Sequence, residues 1–147
     1  MHRALLFLAL TPLLSAKTAC DVLPIDDAVV VLSQNAQQKD LGAGGCAYEV
    51  GTPHLVLMVT PMQDSSNAKA TFAEMKATAK QAGAIVKDEP GIGSSAFSVA
   101  TKDAQSIYVI KGATAFSLSL TNPGSTTPLP DLLDKMRTVA KRAVSRI

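Results

Sequence analysis

The sequence predicts an α+β domain, a mainly antiparallel sheet of about five strands with helices packed on one face, in the order α-β-β-α-β-β-β-α. Three observations carry this. Phe97–Thr101 and Phe116–Leu120 alternate apolar and small or polar residues, as half-buried strands do. The connections around them, such as Lys111-Gly112, are short enough to make neighbouring strands antiparallel. Two segments instead repeat at helical spacing: Ala68, Phe72, Met75, Ala79 and Ala82, at intervals of 4, 3, 4 and 3, and a longer run from Leu132 to Ile147. At 147 residues, 47% hydrophobic and 18% charged, the chain is one folded domain rather than a disordered segment.

Leu23–Leu32 reads as the first helix: Pro24 suits a first turn, Asp26 and Asp27 complement the helix dipole, and polar Ser33-Gln34-Asn35 ends it. A strand competes, because Val29-Val30-Val31 is β-branched. Residues 33–45 read as an exposed connection. Cys46–Val50 alternates as a strand, Gly51-Thr52-Pro53 turns, and His54–Thr60 is apolar enough for a central strand covered on both faces. Asp64, Ser65 and Ser66 offer caps for the helix that carries the Ala68–Ala82 stripe, with Lys69, Glu74, Lys76 and Lys80 mostly outside the stripe. Gly83 closes it. Ile85–Val86 is an additional short strand, and Glu89-Pro90-Gly91 turns into three strands at 97–101, 107–110 and 116–120. Asn122-Pro123-Gly124-Ser125 breaks the chain, and Pro128 and Pro130 lead into a last helix with Asp131 and Asp134 early and Lys141, Arg142 and Arg146 late.

Residues 1–19 read as a secretory signal peptide: Arg3, the apolar run Ala4–Leu10, a break at Thr11-Pro12, and small residues beyond. The run is too short to span a bilayer, so residues 20–147 are expected as a single exported domain, periplasmic or extracellular, with no transmembrane segment. Cleavage after Ala16 puts Leu14 at the third position upstream; cleavage after Ala19 puts Lys17 there, which is the poorer fit. Cys20 following Thr18-Ala19 raises lipid anchoring as a rival, although Lys17 stands where a lipobox wants an aliphatic residue. Cys20 and Cys46 are the whole cysteine complement, and an oxidising compartment favours one bridge between them. Lipidation of Cys20 and the disulfide exclude each other.

A formal charge of +2 without a dense basic block before the last helix argues against nucleic-acid binding. Aromatic residues at 4%, with no tryptophan, leave little for a stacking platform. Gly91-Ile92-Gly93-Ser94-Ser95-Ala96 matches the spacing of a dinucleotide fingerprint but runs into a strand rather than a helix, so no cofactor is expected. Ser94 and Ser95 lack nucleophile-elbow spacing. Any serine triad would have to use His54, the one histidine beyond the leader. Asp64 with Ser65, Ser66 and Asn67 lacks calcium-loop spacing, and no zinc motif occurs, so no metal site is expected. Two surfaces remain. Ser98, Ser117 and Ser119 are expected to share the sheet face opposite Phe97, Phe116 and Leu118, and Lys135, Arg137, Lys141, Arg142 and Arg146 form a basic stripe on the last helix.

The assembled pattern resembles a loose group of small exported bacterial proteins of unknown function, some of them lipoproteins. The residues that carry it are Cys20 with Asp21-Val22-Leu23-Pro24, Cys46-Ala47-Tyr48, Gly91-Ile92-Gly93-Ser94-Ser95-Ala96-Phe97, a strand ending at Lys111-Gly112, and the final amphipathic helix. The resemblance implies an α+β fold with a Cys–Cys bridge and transfers no catalytic residue; Lys17 departs from the lipoprotein members. The expectation is an exported, non-enzymatic module that binds a protein or small ligand. The rival readings are a secreted hydrolase using His54 with a serine, and a structural or assembly partner in the cell envelope.

Overall fold

The computed structural model describes residues 17–32, 35–42, 44–51, 55–61, 67–121 and 130–147, with the backbone alone for 55–61 and 130–131. The elements run α1 (Ala19–Val22), α2 (Ile25–Val31), β1 (Gln37–Gly42), β2 (Gly45–Val50), β3 (Leu55–Pro61), α3 (Ala68–Gln81), β4 (Ile85–Asp88), β5 (Ser95–Ala100), β6 (Ala104–Lys111), β7 (Thr114–Thr121) and α4 (Pro130–Val144). The expected elements occur in the expected order. Three short ones join them: α1, β1 and the strand β4 foreseen at Ile85–Val86.

The sheet has seven antiparallel strands in the order β1-β2-β3-β7-β6-β5-β4. Strand β1 replaces the connection expected over residues 33–45. All six of its residues are exposed, so it carries no apolar alternation, and only backbone pairing to β2 makes it a strand. Its Lys39 and Asp40 suit a sheet edge, where charge discourages pairing with another chain.

Helices cover both faces, not one. Helices α1, α2 and α4 share a face with Tyr48, Ile107, Val109, Phe116, Leu118 and Leu120. Helix α3 lies on the other face, where Phe72 meets Phe97 edge-on at 4.9 Å and Phe97 stacks on Tyr108 at 4.8 Å. The reason is topological. Strand β3 sits inside the sheet and β4 at its far edge, so the connecting helix must cross over strands, and its Phe72 finds the aromatic pair on that side. The expected apolar stripe of α3 is buried at Ala68 and Phe72 and partly packed at Met75, but Ala82 is exposed. Gly83, at φ +81°, ends the helix: its N–H donates to Lys80 O and that of Ala84 to Ala79 O, both at 3.0 Å.

The N-terminal segment is tied to the sheet covalently. Cys20 in α1 and Cys46 in β2 form a disulfide with Cα atoms 5.2 Å apart. Beside it the Ala19 N–H donates to Gly44 O at 3.2 Å, and the buried Tyr48 hydroxyl donates to the Leu23 carbonyl. Burial, with added repulsion from Asp27 and Asp21, pushes the Tyr48 phenol up to about 12, so it stays a donor across the physiological range.

The turn between β4 and β5 is folded against its own sheet. Ile92 is buried in the α4-side core, and Gly93 sits at φ +61°. A Cβ at Gly93 would lie 2.4 Å from the Ile110 carbonyl oxygen. Two outcomes are expected in urea melts. Gly93→Ala costs about 3 kcal/mol, combining left-handed strain with backbone overlap. Gly112→Ala, at φ +57° but with nothing within 4 Å of its Cβ, costs about 1 kcal/mol. Equal losses at both positions would contradict the overlap. Replacing both cysteines by serine opens the loop closed by a sequence separation of 26 and lowers stability by about 3–4 kcal/mol. An unchanged melt after that replacement, or after reduction of the native protein, would contradict the bridge.

Candidate functional site

The serine residues singled out above do not share one face. Antiparallel pairing sets Ser106 opposite Ser119, and Tyr108 opposite Ser117, on the α3 side. Ser106 and Ser119 hydroxyls are 2.9 Å apart and half-buried; Ser117 is more deeply set, next to the Phe97–Tyr108 stack. Ser98 alternates with Phe97 and therefore lies on the α4 side, 4% exposed. Ser98 therefore does not join Ser117 and Ser119 on one face, contrary to the expectation from sequence. In β5 the Phe97 ring takes the α3 side, whereas in β7 Phe116 and Leu118 take the α4 side, so opposing Phe97 and opposing Phe116 are different faces.

Ser98 belongs to a polar cluster in the α4-side layer. Its Oγ donates to Glu89 Oε1 at 2.7 Å. Arg137 on α4 donates from Nε to Glu89 Oε2 at 2.6 Å, from Nη2 to Oε1 at 2.9 Å, and from Nη1 to Asp134 Oδ1 at 2.6 Å. The fork geometry satisfies both carboxylate oxygens at once. Burial works to raise the Glu89 carboxyl, but the hydrogen bonds from Arg137 and Ser98 and the guanidinium charge outweigh it and hold the group below its ordinary value. A carboxylate held ionised with both oxygens engaged is a poor general base. The cluster fastens α4 to the β4–β5 turn.

The basic stripe of α4 is largely spent inside the protein. Arg142 Nη1 donates to Asp27 Oδ1 at 2.8 Å, and Arg146 Nη1 stands 2.5 Å from Asp27 Oδ2. Asp27 is buried, so it is a charged anchor between α2 and α4 and not merely a dipole partner. With Arg137 on Glu89, this leaves Lys135 and Lys141 as the stripe's exposed lysines. Of the two residues proposed on the basic face, Lys141 points to solvent while Arg142 is committed to Asp27.

Gly91 and Gly93 have positive φ, and the chain continues into β5, as the sequence reading of this turn expected. The Ser94 N–H that a phosphate would seek donates instead to Ile110 O at 2.7 Å. Among the described residues, no group of three or more His, Cys, Asp or Glu is placed to hold a metal. His54 and the Asp64–Ser66 caps lie outside the described residues, as do residues 1–16 of the leader. Cys20 and Cys46 are joined in the disulfide, leaving no free cysteine among the described residues.

Sequence reasoning missed Glu89, Arg137 and Asp27 as a set. Glu89 read as part of a turn and Arg137 as part of a solvated stripe; their partnership spans 48 residues and has no local signature. Comparison of the chain with family models, curated proteins and solved structures finds no match.

The depressed Glu89 carboxyl makes stability pH-dependent with a defined sign. Its folded value lies below the ordinary 4.5, so its contribution is complete above that value and is lost as pH falls through the lower, folded one. Urea melts are therefore expected to show stability falling as pH drops below about 4.5. Glu89→Gln flattens that acid limb and is destabilising at neutral pH, because Arg137 loses the buried one of its two charged partners and keeps only exposed Asp134. An acid limb unchanged in Glu89→Gln would contradict this role.

Proposed function

We propose that the protein is an exported, non-enzymatic module that binds a protein or small ligand through the serine-bearing part of the sheet on the α3 side. The observation that carries this reading is the half-exposed Ser106–Ser119 pair on adjacent strands of the sheet interior. A sheet face destined for a covering helix is built from large apolar side chains, as the opposite face is with Ile107, Leu118 and Leu120. Here the same strands present small hydroxyls, while α3 packs on β4, on β6 and on the Phe97–Tyr108 aromatic pair. Small hydroxyls on a flat surface offer donors and acceptors to an extended peptide or a polar ligand at low conformational cost.

Export is supported by the Cys20–Cys46 bridge, which an oxidising compartment maintains and a reducing cytosol does not. The basic helix face is the weaker docking surface, since three of its five cations pair with internal acids.

A photoreactive residue at Ser119, introduced in cells that export the protein, tests the reading against the same residue at exposed Lys102. A discrete adduct at position 119 that is absent at 102 is expected. Equal labelling at both positions, or none at 119, would overturn the choice of surface.

A further inference from the structure

We infer that the export machinery cuts this chain between Ala16 and Lys17, so that the mature protein begins at Lys17; the inference rests on the export reading above. The sequence alone leaves two sites open, after Ala16 and after Ala19. The structure separates them, because Lys17, Thr18 and Ala19 are parts of the domain.

Thr18 is the N-cap of α1. Its N–H and its hydroxyl both donate to Asp21 Oδ2 at 2.9 Å, and the Asp21 N–H returns to Thr18 Oγ1 at 3.3 Å, a reciprocal capping box. Ala19 is buried in the main core, and its N–H donates to Gly44 O at 3.2 Å. Its carbonyl accepts the Leu23 N–H at 3.0 Å, and the Thr18 carbonyl accepts from Asp21 and Val22. Lys17 Nζ donates to the Arg146 carbonyl at 2.6 Å, beyond the last turn of α4.

A cut after Ala19 would remove the cap, the core methyl and the backbone bond to Gly44. It would leave α1 as three residues hanging from the disulfide. A cut after Ala16 keeps every one of these contacts. It also leaves Leu14, not charged Lys17, at the third position upstream, so recognition by signal peptidase and retention of the fold select the same bond. The step is hydrolysis. Water adds across the Ala16–Lys17 amide, Ala16 leaves as the leader's carboxylate, and Lys17 nitrogen takes the proton as an α-ammonium. The domain therefore starts three residues before the boundary expected at Cys20.

N-terminal sequencing and non-reducing intact mass of the full chain, expressed with export, test this. The expected product begins at Lys17, carries no acyl group, and is two hydrogens lighter than its reduced form. A product beginning at Cys20, with or without a lipid, would overturn the placement of the cut while leaving export intact. A product beginning at Met1 in the cytosol with both thiols free would overturn export itself. In a second arm, Ala16→Leu is expected to abolish most processing; unaltered release of the Lys17 product would overturn the proposal.

Discussion

Strand β7 is the joint on which this architecture depends. The chain builds one antiparallel ribbon from β1 to β3 and a second from β4 to β7, and within each ribbon neighbours in sequence are neighbours in space. The two become one sheet because β7 pairs with β6 on one side and with β3 on the other, the single non-sequential adjacency in the strand order. Everything else follows from that placement. With β3 interior and β4 at the far edge, α3 must cross one face. The layer of α1, α2 and α4 is left to the other, where Ile107, Leu118 and Leu120 await it. A pairing this distant in sequence carries a larger loop-closure cost than the hairpins beside it.

The helical layer is then located by charge as much as by apolar contact. Asp27 receives Arg142 and Arg146, and Glu89 receives Arg137, so two buried carboxylates clamp α4 near its end and near its middle. Buried ion pairs of this kind add little net stability over an apolar equivalent, since desolvation offsets much of the attraction. They are costly to break on one side, and each demands a particular helix rotation. Together with the Cys20–Cys46 bridge they fix α1, α2 and α4 relative to one another and to β2. Among the described residues the molecule therefore has one side built of helices, disulfide and ion pairs, and another on which Ser106 and Ser119 are only half-buried.

Much of the local structure was legible in the chain. Alternation at Phe97–Val99 and Phe116–Leu120 reports strands because side chains there have a period of two, and Lys111-Gly112 reports a tight turn because Gly112 takes positive φ. Gly83 reports a helix end for the same reason. Strand β1 was not legible: a fully exposed edge strand has no buried face, hence no hydrophobic pattern to betray it. Nor was the fate of α3's stripe, whose apolar residues signal a helix without saying how much of its length overlies the sheet.

What the sequence determined by itself were the properties set within a few residues or by elimination. These are the three longer helices and most of the strands, their antiparallel connections, and the only pairing open to two cysteines should they bridge. Tertiary structure alone decided which face each element meets. It put Ser98 with Glu89 and Arg137, not with Ser117, and paired three of the basic stripe's cations with buried acids. The physical reason is that periodicity fixes which residues share a face within one element. The relation between faces of different elements depends on strand register and crossover, which arise only when segments far apart in the chain come together.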